Sequence, residues 1–184
     1  MRRITAKPEG PLRRFRQFAT DSRGTSGVEF ALIASFLVVG LFNAVDLGRY
    51  YYLRMETENA AQTAVQAAWQ TCNTDHLPAT TNCSGLNAAM TAGVQSTSLG
   101  SSVALASGYP VETYDCVDLS GALVSVSNVS SKPADCSSVG NATDTPGDYI
   151  KVQTTYTYTA LFPGVSIGDT LPSPITATAL MRLQ

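Results

Sequence analysis

Histidine and tryptophan are almost missing from this chain, and charge is thin. Its 184 residues include one His and one Trp, and Asp, Glu, Lys and Arg together make up 14%. The lone histidine, His76, sits in a polar stretch next to Asp75. It has no second imidazole with which to share a metal or activate a nucleophile. No G-x-S-x-G, no glycine-rich phosphate loop and no C-x-x-C pair occurs. Serine-hydrolase, nucleotide-binding, thioredoxin and zinc readings are therefore left without a motif. Asp115, Asp118, Asp135, Asp144 and Asp148 are numerous enough for calcium but lack EF-hand spacing. The expectation is a protein that is not an enzyme, with no catalytic residue, metal site, cofactor or small-molecule substrate.

The charge that is present is divided unevenly. Residues 1–24 carry seven basic and two acidic residues, a net +5, against −7 for the remainder. Such a basic block can bind nucleic acid or sit at a membrane surface. The next segment decides for the membrane. Phe30 to Val45, FALIASFLVVGLFNAV, is sixteen residues without a formal charge, bounded by Glu29 and Asp46. Sixteen helical residues span about 24 Å, and Val28 and Leu47 extend the apolar surface towards the ~30 Å hydrocarbon core. A transmembrane segment at about 28–47 is expected. The positive-inside rule puts the basic leader in the cytoplasm, the following domain outside it, and nucleic acid off the list of partners. No small-x-small site follows the run, which separates it from a removable secretory signal. Tyr50, Tyr51 and Tyr52 read as an interfacial aromatic belt.

Pro8 and Pro11 oppose helix in residues 1–12, but no proline interrupts the chain from Thr25 to Pro78. Residues 46–70 are rich in Ala, Gln, Glu and Arg, which favour helix. One continuous helix over residues 25–70 is expected, lipid-soluble in its first half and amphipathic in its second. Leu47, Tyr51, Met55 (or Leu53), Ala61, Ala64, Val65 and Ala68 trace its packing stripe. Asp46 falls within helical reach of Arg49 or Tyr50, and Arg54 within reach of Glu58.

The extracytoplasmic domain, residues 71–184, is rich in Ser, Thr, Gly and Asn. Leu86, Ala89, Met90 and Val94 keep helical spacing, which predicts a short helix at about 85–96. Residues 121–127 alternate as a strand does, and residues 149–162 do so more clearly. Ile150, Val152, Tyr156, Tyr158 and Ala160 form one face of the latter. Pro163-Gly164 ends it, and a further strand starts at Ile175 after a hairpin loop over 163–174. The expected fold class is α+β, with the long helix packed on a small antiparallel sheet. All four cysteines, Cys72, Cys83, Cys116 and Cys136, follow the span, where the compartment is oxidising. Three full pairings are open; chain order favours Cys72–Cys83 and Cys116–Cys136.

Residues 23–32, Arg-Gly-Thr-Ser-Gly-Val-Glu-Phe-Ala-Leu, resemble a prepilin processing site. Cleavage after Gly24 would make Thr25 the first mature residue and put Glu29 at the fifth position and Phe30 at the sixth. Cleavage after Gly27 would put Glu29 at the second and lose the match. With the span and the following DLGRYYY, this resembles the TadE-like minor pseudopilins of the tight-adherence (Flp) pilus system. Tyr156-x-Tyr158-x-x-Leu161-Phe162-Pro163, then Ile175 to Ala179 and Arg182, resemble that family's closing hairpin. The resemblance covers residues 23–70 and 149–184. It implies a pilin-like fold and processing by a prepilin peptidase. It also implies residence in a bacterial inner membrane, with other pilins or pseudopilins and the pilus assembly machinery as partners. Glu29 would then pair with the new amine of Thr25 on a neighbouring subunit, an assembly role. The competing expectation is an uncleaved, membrane-tethered binding module or adhesin.

Overall fold

The computed structural model describes residues 25–72 and 74–184. The basic leader, Gly24 included, lies outside the described residues.

One helix, α1 (Thr25–Thr71), runs unbroken for 47 residues, about 70 Å at ~1.5 Å per residue. Its two halves differ in what surrounds them. Residues 25–45, about 31 Å of helix, are apolar and bare: Phe36 is 81% exposed and Phe30 72%. The helix is long and apolar enough to cross a membrane, and none of its most apolar stretch is buried in the protein. Two polar side chains of this half donate back to the helix itself. Ser35 Oγ donates to the Ala31 carbonyl at 2.8 Å, and Asn43 Nδ2 to the Val39 carbonyl at 2.8 Å. Such pairing lowers the cost of placing hydroxyl and amide groups among lipid tails.

From Asp46 onward the same helix becomes the spine of a folded domain. Two short helices follow it, α2 (Ala79–Asn82) and α3 (Leu86–Gln95). The sheet comprises β1 (Val103–Leu105), β2 (Val111–Val117), β3 (Leu123–Asn128), β4 (Gly147–Tyr156) and β5 (Ile175–Arg182). Every pairing is antiparallel. β4 is central. β5 pairs with it from Tyr149 to Tyr156. β2 and β1 divide its other edge, β2 pairing with residues 147–151 and β1 with residues 154–156. β3 extends the sheet beyond β2. The fold is therefore α+β, a long helix packed on a small antiparallel sheet.

The core lies between α1, α3 and the inner faces of β4 and β5. Ala60, Ala64 and Ala68 of α1 are buried against Met90, Val94, Ile150 and Val152. Small side chains on α1 let neighbouring backbone come close, and the tightest approach is at Gly93. A Cβ there would lie 2.9 Å from the Thr63 carbonyl oxygen. Thr63 Oγ1 donates to the Gly93 carbonyl at 2.9 Å, fixing the crossing of α1 and α3. Thr154, which interrupts the apolar face of β4, is buried and donates to the Thr57 carbonyl at 2.9 Å. Cys72 is bonded to Cys83, tying the end of α1 to α2, and Cys116 in β2 to Cys136 in the loop before β4.

Three local expectations need correction. The buried stripe nearest the apolar half of α1 is Asp46, Tyr50, Leu53 and Thr57. Leu53 is the buried alternative to Met55, and Ala61, Ala64, Val65 and Ala68 are buried as expected, but Tyr51 and Met55 are exposed, because Tyr50 and Leu53 face the sheet in their place. Tyr50 packs edge-to-face on Tyr158 with ring centroids 5.1 Å apart, so it is a core residue and not part of a free aromatic belt. β4 ends at Tyr156 and not near residue 162. Beyond it, side chains of α1 replace a neighbouring strand as hydrogen-bond partners. β1 and β2 had no counterpart in the sequence expectations.

Candidate functional site

The residues tied to processing and assembly sit on the bare half of α1. Thr25 opens the described chain, and Glu29 and Phe30 lie on exposed helical surface one turn later. Among the described residues Glu29 meets no cation and no hydrogen-bond donor. A carboxylate at the rim of an apolar span is costly unless it pairs or reaches water. The arrangement can accept a cation from outside the described residues.

The second cluster joins the end of the span to the domain, and the sequence expectations missed it. Asp46, expected to meet Arg49 or Tyr50, is fully buried. Its carboxylate accepts the Leu161 amide at 2.9 Å, the Phe162 amide at 3.3 Å and the Ser166 hydroxyl. One turn back, Asn43 Oδ1 accepts the Ile167 amide at 2.8 Å. One turn on, Arg49 donates to the Thr159 carbonyl at 2.6 Å, its guanidinium lying over the Tyr158 ring. Phe42 stacks on Phe162 with centroids 4.2 Å apart. Four residues of α1, within about two turns, thus grip the segment after β4. The usable signal was the pattern itself: Asn43, Asp46 and Arg49 recur every three residues along one helix face at the end of an apolar run.

The third cluster is acidic and internal. Glu112 and Asp115 of β2 and Asp148 of β4 are all buried. Glu112 accepts the Ala79 and Thr80 amides, each at 2.7 Å, and so holds the start of α2. Burial pushes Asp148 up to about 7, and the neighbouring charge and hydrogen bond of Glu112 add to it. Lys132 opposes the shift. Among the described residues no group of three or more His, Cys, Asp or Glu side chains is placed to hold a metal ion. Asp118 and Asp135 are engaged locally, accepting hydrogen bonds from Ser120 and Ser137 respectively, which hold both carboxyls below the usual range. His76 is exposed on the connection between α1 and α2.

A bare apolar helix carrying Glu29 near its start, gripped at its far end by a small α+β domain, narrows the comparison with known proteins. Residues 24–66 match the family model for TadE-like protein. The matched segment holds Gly24, Thr25, Glu29, Phe30, the apolar run and DLGRYYY; the closing hairpin lies outside it. No curated protein and no solved structure matches the chain. The match covers 43 of the 184 residues, all of them in or just before α1, and the exposed apolar helix is a candidate single-pass membrane span.

Proposed function

We propose that this chain is the precursor of a TadE-like minor pseudopilin. A prepilin peptidase cuts it between Gly24 and Thr25 in a bacterial inner membrane. The mature protein, with residues 71–184 outside the cytoplasm, supports assembly of a tight-adherence pilus. It acts by contact with other pilins and the assembly machinery, not by catalysis.

Glu29 carries this reading. It lies within the TadE-like match, on exposed surface of the apolar helix, without a partner among the described residues. Cleavage after Gly24 would create a free amine at Thr25, one turn away along the helix. In a low-dielectric setting that amine on a neighbouring subunit and the Glu29 carboxylate relieve each other's burial cost.

The test is mass spectrometry of the mature N-terminus together with pilus yield, for wild type, a bulky Gly24 replacement and Glu29→Ala. Wild type should begin at Thr25, and the Gly24 variant should keep its leader. Glu29→Ala should insert normally, since it removes a charge from the span, yet give little or no piliation. A periplasm-active reporter fused after Gln184 should be active. A mature wild-type protein beginning at Met1, or normal pili from both variants, would leave an uncleaved tethered binding module in its place.

A further inference from the structure

The segment after β4 meets α1 at the wrong height for a purely aqueous loop. Phe162 stacks on Phe42, and Ile167 hydrogen-bonds Asn43. Phe42 lies three residues inside the last residue of the apolar run, Val45, or about 4.5 Å along the helix. Whatever covers the end of the span therefore also reaches this loop.

Its composition fits that depth. Leu161 to Gly168 reads LFPGVSIG, without a charge. Leu161 and Val165 are each 52% exposed and Ile167 48%, and Pro163 is exposed beside them. Bare apolar side chains on a mobile aqueous loop would usually be accompanied by water-bonded amides. Here every amide is taken by the protein. Those of Leu161 and Phe162 go to Asp46, and that of Gly164 to Asp169 at 2.6 Å. Those of Val165 and Ser166 go to the Phe162 carbonyl, that of Ile167 to Asn43, and that of Gly168 to Ser166 Oγ. Pro163 has no amide to satisfy. Donors satisfied within the protein, with apolar side chains turned outward, are what a low-water environment requires.

We propose that Leu161–Gly168 is a second membrane contact, seated in the headgroup–acyl boundary of the same bilayer that α1 crosses. The proposal rests on the span reading. Interfacial segments bury their apolar face about 5–10 Å into that boundary, a depth that accommodates the offset between Phe42 and Val45. The exposed Asp169 stands just past the end of the segment and accepts the Gly164 amide. The domain would then be held at a fixed tilt to the membrane instead of swinging on a single helix, with the grip of Asn43, Asp46 and Arg49 setting the angle.

The chain has one tryptophan, Trp69, about 36 Å along α1 beyond Val45 and 55% exposed. It serves as the aqueous reference. Full-length protein is reconstituted at low protein-to-lipid ratio into phosphatidylcholine vesicles brominated at shallow or deep acyl positions. Tryptophan probes are placed one at a time in a Trp69→Phe background. Phe36→Trp reports the span, Val165→Trp the loop, and Leu119→Trp the loop between β2 and β3, where the side chain is 82% exposed. Ile167→Trp replaces Val165→Trp if the latter protein fails to fold.

The expected result is strong quenching of the Phe36→Trp probe by deep bromines and of the loop probe by shallow ones. Trp69 and the Leu119→Trp probe should stay unquenched. If the Phe36→Trp probe is quenched while the loop probe behaves like Trp69, the proposal is overturned and the span stands. Blue-shifted loop emission without bromine quenching overturns it in favour of a protein surface, such as a second copy. An unquenched Phe36→Trp probe removes the span and the proposal with it.

Discussion

Replacing Asp46 by Ala should loosen the loop after β4 while leaving the sheet intact. The carboxylate is fully buried and accepts from two amides and one hydroxyl. A hydrogen bond to a charged acceptor contributes about 1.5–3 kcal/mol net. Truncation leaves three donors without that acceptor but also removes a buried charge, whose desolvation cost offsets part of the loss. A net local loss of about 3 kcal/mol follows, roughly a hundredfold increase in loop opening at 1.4 kcal/mol per tenfold. Asp46→Asn keeps the shape and one acceptor oxygen but not the charge, and should lose about half as much. Amide hydrogen exchange of full-length protein in micelles reads this directly. Protection of the amides from Leu161 to Gly168 should drop about a hundredfold in Asp46→Ala and about tenfold in Asp46→Asn. Amides of β2 and β3, remote from α1, should not change. Equal loop protection in wild type and Asp46→Ala would refute the reasoning. A uniform loss across the sheet would show that Asp46 sustains the whole domain instead of one segment.

Asp148 titrates at about 7 in the folded state against an ordinary 3.8, so between those values the native protein holds a proton that the unfolded chain has released. Stability should therefore fall as pH rises through that window, and Asp148→Asn should flatten the fall. The gain should be roughly 2–4 kcal/mol at pH 8 and small at pH 4. Urea unfolding of both proteins at several pH values checks this, and parallel pH profiles would refute it. Gly93→Ala should destabilise by about 1–2 kcal/mol, because a Cβ 2.9 Å from the Thr63 carbonyl forces α1 and α3 apart. Gly48→Ala, where an added Cβ meets nothing within 4 Å, should be neutral or slightly stabilising; urea unfolding of both glycine variants checks this pair. Thiol labelling of non-reduced protein should find no free cysteine. Loss of the Cys116–Cys136 bond, which closes a separation of 20 residues, should cost about 2–4 kcal/mol in denaturant unfolding.

The local repeats of the chain determined much by themselves. A proline-free run with an apolar first half yields one helix from Thr25, observed to end at Thr71. Helical spacing of Leu86, Met90 and Val94 yields α3, and period-two alternation yields β4 and β5. These signals are legible because helix and strand periods are set by backbone geometry within a few residues. The Glu29-Phe30 neighbourhood was legible for the same reason, being contiguous, and it falls inside the TadE-like match. What only the tertiary structure decided are the pairings across long separations. β2 reads as polar because Glu112 and Asp115 interrupt it, yet both are buried, and Glu112 holds the start of α2, 32 residues earlier along the chain. The phase of the buried stripe on α1 depends on where the sheet lands, so Tyr50 and Leu53 went inside and Tyr51 and Met55 did not. Asp46 feels the charge of Arg49 one turn on, as its spacing offered, but its hydrogen-bond donors lie 115, 116 and 120 residues on. A buried carboxylate takes the donors that a converging backbone brings to it, and that convergence exists only once β4 has packed against the helix.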